Sequence, residues 1–167
     1  FVVSHLILAK YGVNIDHTIG NAILPIWIEE GMTVEQDFVP TKENPKCLEM
    51  KFKNVDKKFV GGLVVSWKQD GVVYVNERIS GLLIGDDYNL MLEIPDGVKA
   101  NSPVKVKLEV DNNPTQNIFG VMADQTLTGL RINGYDMNGG LGYTIYYNTG
   151  FKESLGESIR NIISKIF

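Results

Sequence analysis

Between Leu48 and Tyr147 the chain alternates apolar and polar residues with a period of two, and turn-forming residues interrupt the alternation at short intervals. This pattern constrains the fold more than any other feature, because successive side chains of a β-strand point to opposite faces and a half-buried strand must therefore alternate. Leu48, Met50 and Phe52 alternate with Glu49, Lys51 and Lys53. Tyr88, Leu90, Leu92 and Ile94 alternate with Asn89, Met91 and Glu93, and Val104, Val106, Leu108 and Val110 alternate with Lys105, Lys107 and Glu109. Between residues 63–68 and 72–77 lies Gln69-Asp70-Gly71. Asp-Gly tolerates the positive φ values of a tight hairpin turn, so these two segments are predicted to pair. Pro95-Asp96-Gly97 turns the chain, and Asn112-Asn113-Pro114 stops a strand because proline cannot donate to a ladder. Residues 118–123 and 127–132 read as two further strands, the second entering an Asn133-Gly134 turn, and Gly139-Gly140 precede a last strand over 141–147.

The ends differ from this middle. Ile23, Leu24, Ile26, Trp27 and Ile28 form a strand with Pro25 at its start or on an edge. The polar connection over 29–46 contains one further strand over 33–39. At the C-terminus Ser154 and Glu157 make a capping box, and Leu155, Ile159, Ile162, Ile163 and Ile166 recur at helical spacing. A short amphipathic helix over 154–167 is expected to cover one end or face of the sheets. Residues 1–28 are read as an N-terminal arm whose apolar side chains Phe1, Val2, Val3, Leu6, Ile7 and Leu8 must bury themselves against something. Short strands with a turn every ten or so residues predict an all-β, mainly antiparallel sandwich, jelly-roll-like in its variant, and 167 residues suit one domain.

Charge and residue types then limit the chemistry. Sixteen Lys and Arg against 20 Asp and Glu, interleaved along the chain, provide no clustered basic face for nucleic acid. Cys47 is the one cysteine, so a single chain can form neither a disulfide nor a cysteine-based metal site, and it is expected to pack as a small hydrophobe beside Leu48. His5 and His17 lack metal-ligand spacing, no Gly-x-Ser-x-Gly elbow is present, and Gly139, Gly140 and Gly142 lack the Lys-Ser/Thr of a phosphate loop. Glu29-Glu30 and Asp86-Asp87 are adjacent pairs, which a strand would point to opposite faces; Asp86-Asp87 is read as a solvated turn. No catalytic, metal or cofactor site is expected. The apolar opening run over 1–9 is shorter than the roughly 20 residues of a membrane span and carries no signal-peptide cleavage pattern.

The most suggestive binding residues are Tyr143 and Tyr147 with Asn148. Alternation places both rings on one face and Tyr146 on the other, and tyrosine beside an amide suits a glycan or a protein partner. Residues 106–134, with a strand, an Asn-Pro break, two strands and an Asn-Gly turn, resemble the late-embryogenesis-abundant type 2 β-sandwich. The stretch is under a fifth of the chain, and the resemblance implies a sandwich fold and no site.

The expectation for function is a non-enzymatic structural or binding sandwich that acts through its surface. It would serve as a subunit of an extracellular, cell-surface, filament, shell or virion-type assembly whose partner is another copy or another protein. Two alternatives remain open: a membrane-active protein that docks or forms pores through residues 1–28 or 155–167, and a carboxylate-based hydrolase whose site the sequence does not locate.

Overall fold

The computed structural model describes residues 14–15, 24–113 and 118–147. The assembly-arm residues Phe1, Val2, Val3, Leu6, Ile7 and Leu8, both histidines, Asn148 and the helix expected over 154–167 lie outside the described residues. The first strands are β1 (Asn14–Ile15), β2 (Leu24–Trp27), β3 (Thr33–Phe38), β4 (Pro45–Asn54), β5 (Gly62–Gln69), β6 (Val72–Ser80) and β7 (Tyr88–Glu93). They are followed by β8 (Val104–Asp111), β9 (Phe119–Asp124), β10 (Leu130–Ile132), β11 (Tyr135–Asp136), β12 (Gly140–Leu141) and β13 (Tyr143–Tyr147).

Pairing is nested around one turn. Asp70 and Gly71 both take positive φ, 50° and 81°, and fold β5 onto β6. Outside that hairpin β4 pairs with β7, β3 with β8 and β2 with β9, all antiparallel. Cross-pairing of β5 with β8 and of β4 with β9 gathers these strands into two sheets. One runs β3-β8-β5-β6 and continues past β3 into β10 and β11. The other runs β2-β9-β4-β7 and carries β12 on β9, β13 on β4 and β1 on β13. The described residues are thus a mostly antiparallel β fold of sandwich type.

The alternation expected from the sequence is what fills the space between the sheets. Val34 and Phe38, Leu63, Val65 and Trp67, and Val104, Val106, Leu108 and Val110 are buried from one sheet. Leu48, Met50, Phe52, Leu92, Phe119, Val121 and Ile145 are buried from the other. Each such side chain contributes about 1.5–3 kcal/mol on leaving water. Phe119 stacks on Phe59 at 4.2 Å and on Phe52 at 5.6 Å between ring centroids. Cys47 is buried in β4.

Two expected strands are shorter or broken. Of residues 127–132 only Leu130–Ile132 is strand, because the chain first turns where Leu127 N–H bonds to the Asp124 carbonyl and Asp124 caps Thr126. The strand expected over 141–147 divides at Gly142, whose N–H bonds to Met122 O, where the chain passes from pairing with β9 to pairing with β4.

Three buried carboxamides occupy inward positions of the alternation and reach past their strands to hold loops. Asn54 Nδ2 donates to the carbonyls of Phe59, Gly81 and Ile84, and its Oδ1 accepts from Phe59 N–H. Gln69 does the same for the 94–103 connection, through the Lys99 and Ser102 carbonyls and Lys99 N–H. Gln36 is the third, and it organises the site described next. A buried polar group with its partners in place stabilises; stripped of them it is costly.

Candidate binding site

Gln36 lies in β3 between Val34 and Phe38, in their inward phase. Its Nε2 donates to the Asp37 carbonyl at 2.7 Å and to the Thr128 carbonyl at 2.9 Å, while its Oε1 accepts from Leu141 N–H at 2.7 Å. One side chain therefore fixes the end of β3, the 125–129 loop and β12 relative to each other. The loop is braced a second time by Asp124, whose Oδ1 accepts from the Thr126 N–H at 2.8 Å and the Thr126 hydroxyl at 2.7 Å. Those bonds, the hydroxyl's first, hold the Asp124 carboxyl below its ordinary range. A third tie runs from Asp37 N–H to the Gly129 carbonyl at 3.1 Å.

Opposite the loop stands β13. Tyr147 is only 2% exposed, and its hydroxyl accepts from Thr41 N–H at 3.1 Å, which anchors the start of the β3–β4 connection. Lys42 Nζ sits 5.7 Å from the centre of the same ring. Between these surfaces is a cleft of about 450 Å³, with Asp37, Phe38, Val39 and Thr41 on one side and Thr126, Leu127 and Thr128 on another. Tyr143 and Ile145 close it from β13. The Tyr143 ring meets the Phe38 ring at 5.6 Å and 52°. At the rim, Arg131 Nη1 bonds to Asp37 Oδ2 at 2.7 Å and its Nε to Asp136 Oδ1 at 2.8 Å. The Asp37 hydrogen bond is the largest of the effects that push the guanidinium above its ordinary pKa.

Of the tyrosine pair picked out in the sequence, Tyr143 lines the cleft and Tyr147 supports it from beneath. Tyr146 points to the other face, where its hydroxyl donates to Glu49 Oε2 at 3.0 Å. Burial first, then the Glu49 charge, pushes the Tyr146 phenol up to about 12. The sequence reading did not pick out Asp37, Val39, Thr41, Leu127 or the threonines of the loop. One signal for the site was present: a glutamine at an inward position of an alternating strand needs partners inside the fold.

Elsewhere, Asp86 and Asp87 face Lys53 at 3.9 and 3.8 Å, and Asp87 also faces Lys51 at 3.5 Å. Among the described residues no three His, Cys, Asp or Glu side chains are grouped to hold a metal ion, and no helix is long and apolar enough to cross a membrane. At the end of the sandwich away from the cleft, Val60, Leu82 and Leu83 are 61%, 73% and 70% exposed. Compared with known proteins, the chain matches no family model and no curated protein.

Proposed function

We propose that this is a non-enzymatic, jelly-roll-like sandwich that works by binding through its surface, with the cleft under Tyr143 as its ligand site. The observation that carries the reading is that Gln36, Asp124 and Tyr147 fix three chain segments around one cleft, so that a ligand meets a site that is already ordered. The nested order β5–β6, β4–β7, β3–β8, β2–β9 supports the jelly-roll variant. Jelly rolls include lectin and shell-forming domains, an analogy of architecture that suits both a binding and an assembly role. In this reading the apolar residues 1–13 complete a neighbouring copy and a helix over 154–167 covers one end.

The test is thermal-shift screening of the full chain against oligosaccharides, peptides and lipids, repeated with Val39→Trp, a substitution at a half-exposed position that fills the cleft. Stabilisation by one chemical class that is lost in Val39→Trp supports the cleft as the site. Stabilisation that survives it, or none, overturns that assignment. Light scattering of the full chain and of a chain lacking residues 1–13 tests assembly: loss of mass with retained β content is the expected result.

A second reading, membrane docking, is favoured by the exposed Val60, Leu82 and Leu83. The Gly81–Leu83 turn is pinned by Asn54, which presents both leucines rigidly. Co-sedimentation with phosphatidylcholine vesicles that is abolished in the Leu82→Asp/Leu83→Asp double variant would support it, and absence of co-sedimentation would remove it.

A further inference from the structure

We propose that the cleft takes a neutral saccharide of one or two pyranose rings. The inference rests on the binding reading above and adds the chemical class of the ligand.

The size comes first. About 450 Å³ falls within the roughly 300–1,000 Å³ of small-molecule sites, toward the lower end. Charge excludes more. Asp37 is the one charged side chain that lines the cleft among the described residues, and Arg131 already engages its Oδ2. A phosphate or carboxylate ligand would meet a like charge and no lining cation, whereas a neutral ligand that donates hydrogen bonds meets a strong acceptor.

The remaining lining has two kinds of surface. Thr41, Thr126 and Thr128 bring hydroxyls, each able to donate and to accept; the Thr126 hydroxyl spends its proton on Asp124 and so faces a ligand as an acceptor. Val39, Leu127, Ile145 and the Tyr143 ring bring apolar area. A purely apolar ligand would cover the hydroxyls and Asp37 without partners, at a penalty of about 1–3 kcal/mol for each group left unsatisfied. A pyranose carries both kinds of surface on one rigid body: a C–H face to lay on an aromatic ring and an edge of hydroxyls that both donate and accept. Because Gln36 and Asp124 hold the loop in place, the ligand need not order it.

The experiment is saturation-transfer difference NMR on the full chain with glucose, galactose, mannose, N-acetylglucosamine, maltose and cellobiose, and with glucose 6-phosphate, octanoate and tetraglycine as contrasting probes. Titration follows for any probe that shows transfer. The expected result is transfer to ring C–H protons of at least one neutral sugar, with affinity falling roughly tenfold or more in Tyr143→Ala and lost in Val39→Trp, while Leu82→Asp binds as the parent does. Circular dichroism and melting of each variant separate lost binding from lost folding; Val39→Trp decides if Tyr143→Ala melts early. If octanoate or tetraglycine binds in a Val39-dependent manner and no neutral sugar does, the saccharide assignment falls and the binding reading stands. Glucose 6-phosphate binding more tightly than glucose would overturn the charge argument and the assignment with it. If no probe depends on Val39, both readings of the cleft fall.

Discussion

Asn54 and Phe59 exchange two hydrogen bonds, Phe59 N–H to Asn54 Oδ1 at 2.9 Å and Asn54 Nδ2 to the Phe59 carbonyl at 3.2 Å. A side chain thus closes the β4–β5 connection as a neighbouring strand would. The same carboxamide reaches Gly81 and Ile84, so two separate loops depend on one residue that is fully buried. Asn54→Ala leaves those backbone groups without partners in a dry interior, and a loss of about 3–4 kcal/mol is expected in urea denaturation.

The alternation in β8 predicts a contrast between neighbours. Leu108 is fully buried, and Leu108→Ala should cost about 2–4 kcal/mol. Lys107 lies on the outer face, paired with Glu109 at 2.9 Å. Lys107→Ala should stay within about 0.5 kcal/mol, since exposed ion pairs contribute little. Chemical denaturation of both variants under one condition provides the comparison.

Tyr146 predicts alkaline behaviour. Its phenol is pushed up to about 12 in the folded protein against roughly 10 in an unfolded chain. Between those values the folded state holds a proton that the unfolded state has released, so stability falls as pH rises through that window. Denaturation midpoints measured across it should decline less steeply in Tyr146→Phe than in the parent.

Glu77 predicts a smaller effect at the acid side. Burial, and secondarily the charge of Glu93, raise its carboxyl above the ordinary value. The folded state then favours the protonated form, so this group's contribution is lost as pH rises through the window between its unfolded and folded values. Glu77→Gln should melt slightly above the parent near pH 7 and level with it near about pH 3.5, the gain being small because water screens a group this exposed.

How much of this was legible in the sequence follows from the range of the interactions involved. The β5–β6 hairpin was readable because Asp70-Gly71 encodes its own geometry, and β4, β7 and β8 because each needs only its own alternation. Sheet order needs partners far apart in the chain: β2 meets β9 through Leu24 and Ala123, and nothing local to either strand names the other. The cleft was hidden for the same reason, being lined by Val39, Leu127 and Tyr143 from three distant segments. Tyr143 could be picked out by residue type alone. Asp37 and the loop threonines looked like any solvated residues until Gln36 brought their backbones together.

Nested pairing also sets an order of assembly. Closing β5 on β6 needs only a two-residue turn, whereas joining Leu24 to Ala123 closes a loop of nearly the whole described chain. Loop-closure entropy grows with that separation, and each inner pair shortens the effective loop for the next. The expected route therefore zips outward from Asp70-Gly71, with β2 docking on β9 last and leaving first. In native-state hydrogen exchange the amides of β5 and β8 should then open only with global unfolding, and those of β2 well before it. The innermost hairpin acts as the kinetic seed of the domain, and its outermost strand as the latch.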